Sequence, residues 1–429
     1  MSASAPSGHL RRSVLLRRPV LAWALCDWAN SAFATTVMAG FFPTFFKLYW
    51  SAGADVTVST FRLGLANGAM SFVIALMAPL VGAIADKGGV RVRLLALFTV
   101  LGAAMTGALA LVGKGEWVMA VACYAAASIG FWGGNQFYDS LIVDVSKDEE
   151  FDVVSAYGYA LGYLGGGLLF LLNLLMYKNP AQFGLADGAA AVRMSFVLVG
   201  IWWLVFTIPA FLFVKETKPE RPSHGWRAAL SGWRELLATF QAVRKYRDLA
   251  TFLVAYWFYI DGVNTVIKMA IDYGLSLGLQ AASLLLALLV TQFVAFPAAL
   301  FFGWLGDRFG PRTGILIAIV VYLGVTLGAY GVQSERDFMI LAIVIGLVQG
   351  GIQSLSRSLF GRLVPEGKAG EFFGFYNMMG KFAAVLGPVL TGVVAYFTHD
   401  SRLAIMSIAL LFVIGGALLI RLPRKVAGG

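Results

Sequence analysis

The chain has 429 residues, of which 59% are apolar and only 13% charged. Soluble domains carry roughly 25% charged residues, so an ordinary soluble enzyme, a disordered chain and a collagen-like fibre are all excluded. The net charge of +10 would point to nucleic acid in a soluble protein. In a polytopic membrane protein the basic loops of the positive-inside rule account for it, and no nucleic-acid partner is expected.

A spanning helix needs about 20 mostly apolar residues. Twelve segments qualify in chain order: 20–48, 61–85, 94–113, 117–143, 153–177, 194–214, 250–275, 280–304, 313–332, 337–360, 372–397 and 401–420. These are continuous runs and not short alternating strands, which argues against a closed β-barrel. The first run is too long for a signal peptide and no small-residue cleavage site follows it. With the N-terminus inside, Lys and Arg divide 24 inside to seven outside. The lipid bilayer is therefore the first partner, and we expect a multi-pass protein of a bacterial inner membrane with both termini cytoplasmic. One inside loop runs against the trend, because 147–152 reads K-D-E-E-F-D.

The longest polar stretch, 215–249, separates a first half (1–214) from a second half (250–429). Trp226, Leu230, Trp233, Leu237, Phe240 and Val243 recur in it every three or four residues, with Arg227, Arg234 and Arg244 off that series. The pattern predicts an interfacial amphipathic helix. Cys26 and Cys123 stand in apolar stretches, and His9, His224 and His399 in polar ones. No disulfide framework, metal centre or intramembrane histidine relay is expected.

The two halves repeat. Gly82-x-x-x-Asp86-Lys87-x-Gly89-x-Arg91 follows the second span, and Gly303-x-x-x-Asp307-Arg308-x-Gly310-x-Arg312 follows the eighth, offset by 221. Asp27-x-x-Asn30 recurs as Asp261-x-x-Asn264, offset by 234; Gly162 and Gly380, like Ser140-Leu141 and Ser358-Leu359, are offset by 218. Two parallel six-helix halves are the major facilitator architecture, an all-α membrane fold of twelve helices. In the loop motif the glycine lets helices approach, and the Asp sits at a helix end beside basic side chains. Such a cluster can latch the halves in one conformation and release them in another. Arg357, near the inner end of the tenth span, fits the same gate better than a ligand role.

The stretches 23–36 (W-A-L-C-D-W-A-N-S-A-F-A-T-T), 154–166 (V-S-A-Y-G-Y-A-L-G-Y-L-G-G), 259–265 (Y-I-D-G-V-N-T), 356–365 (S-R-S-L-F-G-R-L-V-P) and 371–382 (E-F-F-G-F-Y-N-M-M-G-K-F) narrow the match. They resemble the vacuole-effluxer, autophagy-related branch of that superfamily across nearly the whole chain. The resemblance implies a transporter and points to amino-acid efflux.

Ionisable residues within spans are costly and usually face a cavity or a partner. Asp27 and Asn30 share a face of the first span, and Asp261, Asn264 and Lys268 form a stripe on the seventh. Asp261 lies about 16 Å into its span, near the midplane where transporter sites gather. Asn135 and Asp139 on the fourth span, Gln353 on the tenth, and Asn377 and Lys381 on the eleventh complete the candidates for substrate binding or proton coupling. Tyr157, Tyr159 and Tyr163 line the fifth span, and its glycines predict close helix packing.

Walker A, Rossmann, HExxH and nucleophile-elbow motifs are absent from the sequence, so neither an enzyme nor an ATP-driven pump nor a cofactor is expected. The expected function is a monomeric secondary transporter of a small solute, an amino acid by resemblance, with a co-transported proton as a candidate partner. A zwitterion needs both signs of charge: Asp27 and Asp261 for its ammonium, and Lys268, Lys381 or Arg357 for its carboxylate. Asp261 is the favoured proton carrier by depth. A sugar or drug-like solute, and a non-transporting sensor or scaffold of the same fold, remain open at this point.

Overall fold

The computed structural model describes residues 14–53, 89–217, 245–365, 368–398 and 401–423, with 62, 70, 73, 74, 76, 77, 81, 82 and 85. Most of the second expected span, Asp86 and Lys87, and the amphipathic series 226–243 lie outside the described residues. Within them there are helices and turns and no strand. In hydrocarbon every backbone polar group must be satisfied within its own segment, and a helix does this without neighbours.

In the first half, α1 spans Arg18–Ala32 and continues as a wider π-helix over Phe33–Phe41. It is followed by α2 (Arg91–Ala108), α3 (Trp117–Ser140), α4 (Phe151–Lys178) and α5 (Gly188–Phe213). The second half holds α6 (Arg247–Ser276), α7 (Ala281–Phe309), α8 (Pro311–Gly328), α9 (Glu335–Leu363), α10 (Ala369–Thr398) and α11 (Ala409–Leu419). Nine helices among the described residues are long and apolar enough to cross a membrane, which accords with a twelve-helix bundle.

Helix ends follow from local chemistry. α9 opens on a capping box, in which Ser334 Oγ accepts the Asp337 amide at 3.3 Å and Asp337 Oδ2 accepts the Ser334 amide at 3.0 Å. Both copies of the loop motif place a positive-φ glycine before the next helix: Gly89 and Gly310 have φ of +58° and +85°, which glycine adopts at no steric cost. Pro311 then starts α8 with its φ already set.

Helix α4 is the hub of the bundle, packing on α1 in its own half and on α7 and α9 in the other. Aromatic rings fill the first half; Phe33 lies 5.4 Å from both Phe131 and Trp203. Large apolar side chains such as Leu111, Leu212, Phe301 and Val320 point outward, as a lipid-facing surface requires. Both described chain ends gather at one end of the bundle, the terminal face. There Arg17 pairs with Glu150, and Arg312 donates to the carbonyls of Leu419 and Ile420 at 3.1 and 2.5 Å.

Close packing of α2 on α3 depends on glycine. A Cβ built on Gly130 would lie 2.5 Å from Gly102 backbone atoms, whereas one on Gly107 meets nothing within 4 Å. Gly107→Ala should therefore hold or slightly raise the melting temperature in detergent, as removing a helical glycine contributes about 0.5–1 kcal/mol. Gly130→Ala should lower it by several degrees. Equal melting of the two variants would contradict this packing.

Candidate functional site

A buried guanidinium in hydrocarbon must find anionic or hydrogen-bonding partners. Arg357 of α9 is 1% exposed and takes its partners from the opposite half. Its Nη1 donates to Asp139 Oδ1 of α3 at 3.0 Å, and its Nε and Nη2 donate to Ser155 Oγ and the Ser155 carbonyl of α4 at 2.9 and 2.8 Å. Asp27 Oδ2 of α1 lies 3.8 Å from the same Nη1 and accepts from the Tyr138 hydroxyl at 3.0 Å. Asp139 Oδ2 accepts from Asn377 Nδ2 of α10 at 3.3 Å. The rings of Trp23, Tyr138 and Tyr159 surround the guanidinium carbon at 4.9, 5.1 and 4.3 Å, adding cation–π attraction. Trp23 is fixed by its Nε1 donating to the Tyr138 carbonyl at 2.7 Å.

Asp139 and Arg357 are 218 positions apart, the offset that relates the repeats. They are equivalent positions carrying opposite charge, and the long Arg357 side chain, held by Ser155 of α4, reaches across to bring the two charges together. One turn farther from the terminal face, Asn30 Nδ2 donates to Asn135 Oδ1 at 2.5 Å within the first half. At the same level Tyr163 donates across the halves to Gln353 Oε1 at 2.6 Å.

Nearer the terminal face a second inversion appears. In the first half Arg91 Nη2 pairs with Asp144 Oδ2 at 2.9 Å, and Asp144 Oδ1 accepts the Thr217 amide at 2.8 Å. The equivalents, offset by 221 and 218, are Arg312 and Arg362, two cations that cannot pair. Arg312 turns instead to the end of α11. Arg362 crosses to fully buried Asp152 of α4, donating to Oδ2 at 2.6 Å, while Ser358 donates to Oδ1. A lock within one half thus becomes a tie between halves.

The expected residues separate into groups. Asp27, Asp139, Arg357 and Asn377 converge, with Asn30, Asn135 and Gln353 one layer away. Asp261 is fully buried and has partners in its own half: Gly387 N–H donates to it at 2.7 Å and Thr265 Oγ1 at 3.4 Å. Asn264 is half-buried on α6. The side chains of Lys268 and Lys381 lie outside the described residues. Of the loop motifs, Gly82 is buried and Gly303 packs against Ala156 of α4. Asp307 adds a carboxylate beside Asp152, and Arg308 stacks over Trp304 and Phe309 at 5.7 Å.

Sequence reasoning missed Tyr138, Ser155, Asp152 and Arg362 as site residues. Two had a signal: Asp152 closes the acidic run that breaks the basic trend, and Arg362 is the repeat counterpart of Asp144. Tyr138 and Ser155 had none, since a hydroxyl in an apolar helix is unremarkable until its neighbour is known. Among the described residues no group of three or more His, Cys, Asp or Glu side chains is placed to hold a metal.

The family described as vacuole effluxer Atg22 like matches this chain over residues 48–150 and 143–427. An uncharacterized MFS-type transporter, YxiO of Bacillus subtilis, is 38% identical over 408 residues, 94% of this chain and 95% of that protein. Autophagy-related protein 22 of Yarrowia lipolytica is 28% identical over 63% of this chain, which spans 50% of that longer protein. Among solved structures, the human organic anion transporter MFSD10 superimposes with a TM-score of 0.74 at 17% identity, covering 94% of this chain and 99% of that one. The major facilitator transporter FucP in its outward conformation gives 0.68 at 16% identity, covering 97% and 100%. These structures share the major facilitator fold.

Removing one partner of a buried ion pair strands the other and costs about 3–5 kcal/mol. Arg357→Gln should therefore lower the melting temperature strongly. The double variant Asp139→Asn with Arg357→Gln should recover a large part of the loss. Additive losses in the double variant would contradict a direct pair.

Proposed function

The chain belongs to the vacuole effluxer Atg22-like family of major facilitator transporters, and on that premise we propose that it exports a small zwitterionic solute, an amino acid, by alternating access. The observation that carries the reading is the Arg357–Asp139 pair, which joins the halves at 3.0 Å on the path such a solute must take. Each half supplies one pole: carboxylates from Asp27 and Asp139, a guanidinium from Arg357. A solute bearing both charges can replace that direct pair, its carboxylate taking the Arg357 donors and its ammonium lying between Asp27 and Asp139. Planar bidentate recognition of a carboxylate is what a guanidinium does best.

Binding then exchanges a tie between halves for one that runs through the solute, and this couples occupancy to movement. Trp23, Tyr159 and Tyr163 supply an apolar wall for the side chain, with Asn30, Asn135, Gln353 and Asn377 as neutral hydrogen-bonding groups. A purely anionic solute fits less well, because it would take Arg357 from Asp139 and leave that carboxylate without its cation. In this reading the terminal face is cytoplasmic, in accord with the 24-to-seven partition of basic residues. The membrane is a bacterial inner membrane, the first half is 1–214, the second 250–429, and one chain holds the complete path.

Counterflow in proteoliposomes tests this. A mixture of labelled neutral amino acids should exchange through the wild type, and Asp139→Asn or Arg357→Lys should reduce exchange by at least tenfold with folding retained. Wild type that exchanges no amino acid would overturn the substrate class.

A further inference from the structure

Two carboxylates, Asp27 and Asp139, share one guanidinium among the described residues of the site. All three residues are buried, at 8%, 8% and 1% exposure. A second carboxylate beside one already paired is disfavoured as an anion in such surroundings. We propose that Asp27 holds a proton while the halves are drawn together around Arg357, and is the residue through which a proton gradient drives transport. The driving role rests on the transporter reading above; the proton itself does not.

The donors decide which carboxyl is protonated. Asp139 receives an N–H group on each oxygen, from Arg357 at 3.0 Å and from Asn377 at 3.3 Å. Those groups can only donate, so they favour Asp139 as the carboxylate, which accepts on both oxygens. Asp27 receives hydroxyls instead: Tyr138 donates to Oδ2 at 3.0 Å and Ser31 to Oδ1 at 3.3 Å. A hydroxyl can donate or accept, so the same two partners satisfy Asp27 as COO⁻ or as COOH. The guanidinium is 3.8 Å away, with its nearer donors given to Asp139 and Ser155.

The surroundings of Asp27 agree. From α3 it faces Tyr138 and Asp139, from α4 Tyr159 and Tyr163, and from α9 Arg357. Gly162 of α4 leaves the space for its carboxyl, since a Cβ there would sit 3.0 Å from Oδ1. The ionisable residue of α5, Arg193, is tied to Tyr49 and the Val112 carbonyl at the opposite face. On α1 itself the Cys26 thiol turns back to the Ala22 carbonyl at 3.9 Å. The side chain of Lys381 on α10 lies outside the described residues. The step is a simple one: Asp27 carboxylate takes H⁺ from water to become the acid, and returns it when the tie opens and water reaches the carboxyl. Asp261 takes the Gly387 amide on Oδ2 and the Thr265 hydroxyl on Oδ1, both inside its own half.

Infrared spectroscopy of the purified full-length protein in liposomes, titrated with pH and with no solute added, reads the proton directly. The wild type should show the carbonyl stretch of a protonated carboxyl near neutral pH, lost in Asp27→Asn and kept in Asp261→Asn. Tyr138→Phe retains every carboxyl and the guanidinium while removing one hydroxyl partner, so it should shift the band and not abolish it. A wild type with no such band would overturn the proposal, as would a band that persists in Asp27→Asn or stays unshifted in Tyr138→Phe. An intact band in a protein that exchanges no amino acid would uphold the proton site and overturn the substrate class alone.

Discussion

A guanidinium cannot be left alone when buried inside a membrane protein, and the position of Arg357 makes that constraint structural. The carboxylates of its own helix, Glu335 and Asp337, stand at the far end; α9 packs on α4 of the other half, and the cation is satisfied by Asp139 and Ser155 there. The three N–H contacts to Asp139 and Ser155 are bonds between halves. In low dielectric they are strong when made and costly when stranded. With the Arg362–Asp152 tie they join the halves near the terminal face. In the proposed reading, a solute or proton that changes the cluster's charge changes which arrangement of halves is favoured.

The pseudo-symmetry gives this constraint its geometry. At two places an acid in one repeat has a base at the equivalent position of the other. Asp139 with Arg357 is the first such case. Asp144 and Arg362 are a second, indirect one: losing the acid frees Arg312 for the end of α11 and sends Arg362 to Asp152. The first half keeps its Arg91–Asp144 lock. The second half commits its corresponding cation to the interface. Asymmetry of charge on a symmetric frame is what lets two similar halves attract each other rather than repel.

Much of the fold was legible in the sequence because hydropathy, basic loops and repeat offsets are local properties of the chain. The helices found in the structure coincide with expected spans; the positive φ of Gly89 and Gly310 is a finding of the structure that the motif had not suggested. The site was legible only in part. Asp27, Asp139, Arg357 and Asn377 stood out as polar residues in apolar runs. Their convergence depends on how α1, α3, α9 and α10 meet, and one sequence does not encode that visibly. Depth along a span favoured Asp261 over Asp27, yet depth says nothing of which face a helix presents. The Gly387 amide that meets Asp261 is a backbone group and leaves no mark in composition. Tyr138 and Ser155 were invisible for the same reason, being ordinary residues made important by the neighbour they face.

The central claim is that the Arg357 cluster holds the halves together at the terminal face. Lys147 and Lys368 are exposed and belong to different halves, so spin labels on cysteines placed there report their separation by pulsed dipolar spectroscopy. In wild-type protein in lipid nanodiscs the short distance should dominate. Arg357→Gln should shift the distribution toward a longer one, with the folded monodisperse protein retained. An unchanged distribution in folded Arg357→Gln would contradict the account.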